Sequence, residues 1–152
     1  MDLDETTSAY HEAGHVLIAH LLGGEVLETT LETELDGHRG HTQVAWRGLA
    51  SRDLARASAF VALAGPIAET LWRGEEPHEE SFGAWASDWS EVESALDAVA
   101  EEEERERVRS HWIATVVAHL RDPASWELLC RVADHLEAHG TLDRDLLADV
   151  LP

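Results

Sequence analysis

The stretch Ala9-Tyr10-His11-Glu12-Ala13-Gly14-His15-Val16-Leu17-Ile18 lies early in a chain of 152 residues. Its small and apolar residues recur at the spacing of one helical face, and Gly23-Gly24 then supplies a stop, so we expect a helix that ends near Leu22. His11 and His15 are four residues apart, which stacks their imidazoles one turn apart on the same face. Two imidazoles arranged in this way can bind one metal ion.

Glu12 directly follows the first of these histidines. In zinc hydrolases a carboxylate at this position meets a water on the open side of the metal and accepts its proton, so Glu12 is predicted to be a general base. The same pattern is expected by chance in roughly one of twelve chains of this length, so a coincidence on a solvent-facing helix is the alternative interpretation. The third ligand of a zinc site must lie farther along the chain, because Leu21 stands where some zinc peptidases have another histidine.

The charge of the chain restricts its partners. The sequence has 31 acidic and 11 basic residues, no lysine, and a formal net charge of -20. Because contact with phosphates needs a basic surface, we expect the chain to bind neither nucleic acid nor anionic membrane surfaces.

Length and hydropathy set further expectations. The length suits one domain with its own core, so residues 1–152 are expected to form a single domain. The longest uncharged run, around Val16 to Gly24, is shorter than a bilayer span, and the first residues lack the features of a secretory signal. We therefore expect a cytoplasmic protein without a membrane segment. The single cysteine, Cys130, is expected in the core.

The remaining pattern predicts a mostly α-helical α+β fold, in which a helical bundle with a zincin-like His-Glu-x-x-His helix carries a small antiparallel β-hairpin. Alternating polar and apolar residues predict strands at Glu25–Glu34 and Gly40–Trp46, and Asp36-Gly37 offers a turn between them. A helix is predicted at Ser51–Trp72, with a kink or restart at Gly65-Pro66. Ser87 is predicted to cap the next helix, which includes Val99. Three further helices are predicted at Val108–Leu120, Ala124–Ala138 and Leu142–Leu151.

Three segments, in this order, resemble the peptidase domain of the FtsH-type ATP-dependent zinc proteases. Ala9–His15 looks like the metal-binding helix of that family. Leu63-Ala64-Gly65-Pro66-Ile67-Ala68-Glu69 is similar to its second helix, where Leu-Ala-Gly-Arg-x-Ala-Glu is usual. Gly83-Ala84-Trp85-Ala86-Ser87-Asp88 resembles the loop whose Ser-Asn-Asp carries an aspartate ligand at the start of the next helix. The likeness extends from about Glu5 to Leu120.

The chain departs from the pattern of this family at several positions. Pro66 replaces the usual arginine, Thr70 stands where a second glutamate is common, and Trp89 follows the aspartate. These changes keep the metal ligands but affect the expected substrate contacts and helix geometry. The chain also has no phosphate-binding Gly-x-x-x-x-Gly-Lys loop, so it is not expected to unfold substrates by itself.

The resemblance implies a particular metal site. Asp88 would join His11 and His15 as the third ligand of a zinc ion, leaving the fourth position to water. Glu69 would lie close to the site and orient one of the ligand histidines through its other ring nitrogen.

The resemblance also implies an activity. The chain would be a zinc-dependent metalloendopeptidase with Glu12 as catalytic base, acting on short or unfolded polypeptides without ATP. The strand around His41–Trp46 would align an extended peptide by edge pairing. Members of the family form rings, which favours self-association, and a separate ATPase is a candidate partner.

Other interpretations of the same residues stay open. Asp88 can be part of a helix cap rather than a ligand, and Glu69 can be an ordinary surface glutamate. Histidine and carboxylate sites also accept divalent ions other than zinc. The alternative function is a non-catalytic metal-binding, regulatory or interaction domain of the same fold, with or without metal. The intact Glu12 argues against a purely structural site, which has no use for that carboxylate.

Overall fold

The structure, a computed structural model, describes residues 3–32, 40–77 and 86–152. Within these ranges it contains six α-helices, one short 3-10 turn and a three-stranded sheet. The mostly helical α+β fold predicted from the sequence is thus confirmed. In chain order the elements are α1 (Leu3–Leu21), β1 (Glu25–Thr30), β2 (His41–Ala45), α2 (Ser51–Trp72), α3 (Ala86–Val99), the 3-10 turn (Glu102–Glu104), α4 (Arg105–Arg121), α5 (Pro123–His139), β3 (Thr141–Asp143) and α6 (Arg144–Val150).

The sheet is antiparallel and places β1 between β2 and β3. Thr29 of β1 lies opposite Thr42 of β2 on one side and opposite Leu142 of β3 on the other. The predicted pairing of the first two strands is therefore present, whereas the expected turn at Asp36-Gly37 lies outside the described residues. Within the described part of the chain β2 has a strand neighbour on one side, so its other side is an edge of the sheet.

The end of the chain differs from its prediction. The helix expected at Leu142–Leu151 is wrong in its first residues, because β3 occupies them and α6 begins after Asp143. The Asp143 side chain accepts a hydrogen bond from the Leu146 N–H, and this cap sets the start of the helix. Gly140, with a φ of 77°, ends α5 and turns the chain into β3.

Helix α2 runs without interruption through Gly65-Pro66, so the predicted restart at this point is wrong. Pro66 has no N–H to donate to the preceding turn, and a proline inside a helix costs about 3 kcal/mol or more. Ile67 and Ala68, which follow it, have no solvent exposure. Burial of this apolar face keeps the helix continuous despite the missing hydrogen bond. The Thr70 hydroxyl also donates to the Pro66 carbonyl at 2.8 Å.

Among the described helices, α2 is the one that is long and apolar enough to cross a membrane by length and composition. In the most apolar 18-residue stretch of this helix, 61% of the residues are buried. A helix that is apolar on most sides can be the core helix of a folded domain or a membrane span, so this test alone does not assign it to a membrane.

Helices α1 and α2 cross at the centre of the core. Leu17 of α1 and Ile67 of α2 have no solvent exposure. The two backbones approach closely at Gly14, where an added Cβ would lie 2.4 Å from the Ala64 carbonyl oxygen and 2.7 Å from the Ala68 Cβ. Because these distances are shorter than van der Waals contacts, the absence of a side chain at Gly14 sets the spacing of the two helices.

An aromatic cluster fixes α1 against its neighbours on another side. The ring of Tyr10 stacks on Trp72 of α2 at a centroid distance of 5.0 Å and on Trp126 of α5 at 6.2 Å. Cys130, expected in the core, is only partly buried. Burial raises the pKa of its thiol, and burial together with the neighbouring Cys130 raises the pKa of Tyr10 to about 12. Both groups therefore stay neutral within the cluster at neutral pH.

Replacing Gly14 by alanine is expected to destabilise the domain by about 1–3 kcal/mol, because the added methyl group overpacks the helix crossing. Alanine is the better helix former, so local propensity alone gives the opposite sign. The change is measured by chemical denaturation followed by circular dichroism. Ser94→Ala, at an exposed position of α3, is the control and should stay within about 0.5 kcal/mol of the parent. A Gly14→Ala protein as stable as the parent would contradict the close approach of the helices.

Candidate metal centre

The three predicted ligands lie together where α1, α2 and α3 meet. The distance between the His11 Nε2 and the Asp88 Oδ2 is 3.0 Å, and the distance between the His15 Nε2 and the same oxygen is 3.7 Å. The two imidazole rings are 4.8 Å apart and nearly perpendicular. Two ring nitrogens from one helix and a carboxylate oxygen from another therefore point at a common space.

Asp88 stands in the first turn of α3, where a carboxylate also suits the positive end of the helix dipole. Its Oδ2 atom is directed at both imidazoles. The structure thus places Asp88 where a third ligand would lie, which a role in helix capping alone does not require. Of the segment that resembled the aspartate loop, residues 83–85 lie outside the described part of the chain.

Both imidazoles are held by groups on α2. The Nδ1 of His15 lies 2.5 Å from the Val61 carbonyl oxygen, so this nitrogen donates its proton to the backbone and leaves the electron pair of Nε2 for a ligand. The Nδ1 of His11 lies 3.7 Å from Glu69 Oε1, an ion-pair distance longer than a hydrogen bond. Glu69 is buried, with 6% of its surface exposed, and also pairs with Arg73 at 3.4 Å. It therefore stands beside His11, a predicted ligand, and is not a surface glutamate.

The charges in this cluster stabilise one another. Burial alone would lower the pKa of His11, but the hydrogen bond with Asp88 and the nearby carboxylates of Glu69 and Glu12 raise it to about 10. Burial alone would raise the pKa of Asp88, but the electrostatic interaction with the nearby imidazole of His15 and the hydrogen bond with His11 lower it below its usual range. The carboxylates thus create a negative field around the imidazoles, and the same field that favours a proton on His11 favours a bound cation in its place.

Glu12 lies next to the imidazoles but is held by a different element. Its Oε1 accepts a hydrogen bond from the Thr42 hydroxyl of β2 at 2.9 Å. The ligand atoms of His11, Glu12 and His15 all lie within 4.8 Å of one another, so this trio by itself could also hold a metal ion. We favour Asp88 as the third ligand, because its oxygen approaches the Nε2 atoms of both histidines while Glu12 is engaged by Thr42.

Gly65 supplies the space in which the ligand atoms meet. A Cβ at this position would lie 2.5 Å from the His15 Nε2 and 2.7 Å from the His11 Nε2. The two nitrogens therefore converge over a stretch of α2 that has no side chain. Two imidazole nitrogens and one carboxylate oxygen form a donor set that suits zinc and other divalent transition metals. The residues present thus fit a metal ion of this class.

Sequence reasoning missed two contacts of the site. The Val61 carbonyl orients His15, but a backbone group leaves no signal in the sequence. Thr42 was placed on a predicted strand, yet its contact with Glu12 depends on how β2 is placed against α1. Gly65 was recognised as part of a motif, and the structure supplies the steric reason for a glycine there.

The sequence matches no model of a known protein family and none of the curated proteins with which it was compared. The likeness to FtsH-type peptidases therefore rests on the quoted segments alone.

Gly65→Ala is expected to weaken zinc binding at least about tenfold, or 1.4 kcal/mol, because the methyl group would fill the space between the two Nε2 atoms. Alanine favours the helix, so α2 itself should persist. Competition with a chromophoric chelator measures the affinity, and circular dichroism checks the helix content. Ser51→Ala, in the exposed first turn of α2, is the matched control. Unchanged zinc affinity in Gly65→Ala would show that the ion binds elsewhere.

Proposed function

We propose that this chain is a zinc-dependent metalloendopeptidase that hydrolyses peptide bonds in short or unfolded polypeptides without ATP. The observation that supports this proposal best is the meeting of the His11 Nε2, the His15 Nε2 and the Asp88 Oδ2 beside the carboxylate of Glu12. A donor set of this kind with a carboxylate next to it is the arrangement that metal-assisted hydrolysis needs.

His11, His15 and Asp88 would hold the ion, and Val61 and Glu69 would orient the two imidazoles. When bound, zinc would polarise the scissile carbonyl and bring the pKa of a water towards neutrality. Glu12 then accepts a proton as the oxygen of that water adds to the carbonyl carbon. The same carboxylate returns the proton to the amine nitrogen as the C–N bond breaks.

The sheet offers a way to align the substrate. Strand β2 lies at an edge of the described sheet, and Thr42 links this strand to Glu12. An extended peptide that adds to the free side of β2 would pass close to the base. Only a segment without its own secondary structure can pair in this way, which supports short or unfolded polypeptides as substrates. The formal net charge of -20 favours substrates that are not strongly acidic.

The alternative proposal is a non-catalytic metal-binding, regulatory or interaction domain of the same fold. Glu12 favours the peptidase, because a structural zinc site closes its coordination and has no use for a further buried carboxylate. We propose with it a single domain, a cytoplasmic location, self-association and a separate ATPase partner, as expected from the sequence and its resemblance.

Glu12→Gln is expected to retain zinc but to lower the rate of peptide cleavage at least about a hundredfold, because glutamine keeps the shape of the side chain and cannot accept the proton. A peptide-library assay, run with and without a chelator, measures cleavage, and metal analysis of the purified protein measures zinc. Glu5→Gln, the same change at an exposed position of α1, is the control and should cleave like the parent.

Chelator-sensitive cleavage that survives in Glu12→Gln would refute the assignment of the base. Loss of zinc from this variant would instead make Glu12 a ligand. A parent protein that binds zinc and cleaves no peptide of the library would favour the non-catalytic alternative.

A further inference from the structure

We propose that the Thr42 hydroxyl is a positioning group that keeps Glu12 available as a base and prevents its carboxylate from becoming a metal ligand. This inference rests on the proposed function. Glu12 belongs to α1 and Thr42 to β2, so their 2.9 Å hydrogen bond ties the base to the sheet and not to its own helix.

The Glu12 carboxylate needs such a restraint because a second role lies within its reach. Its ligand atom and those of His11 and His15 lie within 4.8 Å of one another, a span that a single ion can bridge. Rotation of the side chain towards that ion would close the coordination position that a hydrolytic site must leave open. With Oε1 engaged by Thr42, Oε2 is the oxygen that would take the proton of the attacking water.

A second hydroxyl supports the first. Thr29 Oγ1 lies 2.8 Å from Thr42 Oγ1, and the two residues are directly opposed across β1 and β2. A hydroxyl has one proton to donate, and Thr42 uses its proton on Glu12, so Thr29 must be the donor to Thr42. Thr29 has no solvent exposure, which shelters this chain of hydrogen bonds from competing water.

Gly40 restricts Glu12 from a further direction. Its φ of 114° is a conformation that favours glycine, and an added Cβ would lie 2.9 Å from the Glu12 Cγ. The backbone that leads into β2 therefore packs against the aliphatic part of the same side chain whose oxygen Thr42 holds. Glu12 itself is buried, with 3% of its surface exposed.

The restraint is tested by the visible absorption of the protein loaded with cobalt(II), whose ligand-field bands weaken and shift when a further ligand binds. Thr42→Val keeps the β-branched shape and removes the hydroxyl. We expect Thr42→Val to show a weaker, shifted band, Thr42→Ser to restore the parent spectrum, and Thr42→Val combined with Glu12→Gln to match Glu12→Gln alone. A parent-like spectrum in Thr42→Val, or a shift that persists without the Glu12 carboxylate, would overturn the proposal.

Kinetics of the zinc-loaded proteins give the second readout. We expect Thr42→Val to lower kcat about tenfold with KM within about twofold of the parent, and Thr42→Ser to recover most of the rate, since only part of the contribution of a general base is lost. Thr115→Val, the same change at a half-buried position of α4, is the control. If the parent is active and Thr42→Val has the same kcat, the inference is overturned. A parent that cleaves no peptide would refute the peptidase proposal, while the cobalt spectra would still decide the role of Thr42.

Discussion

The close approach of α1 to α2 is the constraint on which the rest of the structure depends. At Gly14 the backbones are so near that a Cβ would lie 2.4 Å from the Ala64 carbonyl oxygen. The next residue of α1 is His15, whose imidazole reaches the Val61 carbonyl, and Gly65 leaves room for the Nε2 atoms of both histidines. A wider spacing of the two helices would remove the partner of His15 and separate the imidazoles from α2. The geometry of the centre therefore depends on the close packing that Gly14 and Gly65 allow between α1 and α2.

The centre combines three elements with different tasks. Helix α1 contributes both histidines and Glu12, the proposed base, α2 carries the groups beside the imidazoles, and α3 contributes the Asp88 carboxylate. Carboxylates around the two histidines give a local negative field. This field favours a proton on His11 or, in place of that proton, a bound cation. The sheet contributes the hydrogen bond to Glu12, so strand β2 both forms the proposed substrate edge and contacts the proposed base on α1.

Local patterns were sufficient to predict α1 and the pairing of β1 with β2, because helical periodicity, strand alternation and glycine stops act over a few residues. They were wrong about a restart at Pro66, where burial of the flanking apolar face outweighs a missing hydrogen bond, and they missed β3, which is too short to show alternation. The position of Asp88 came from a resemblance, since no local rule brings residues so far apart in sequence together. The contacts of Val61 and Thr42 depend on tertiary packing and could not be predicted from the sequence.

The location of the metal is the most direct test of the whole account. Crystals of the protein grown with zinc would be measured at the zinc absorption edge, and an anomalous difference map would locate the ion. We expect one strong peak at about 2.0–2.2 Å from His11 Nε2, His15 Nε2 and a carboxylate oxygen of Asp88, with the Glu12 carboxylate not bound to it. A peak coordinated by other residues would contradict the proposed centre. So would protein that contains one zinc ion per chain but shows no peak between α1 and α3.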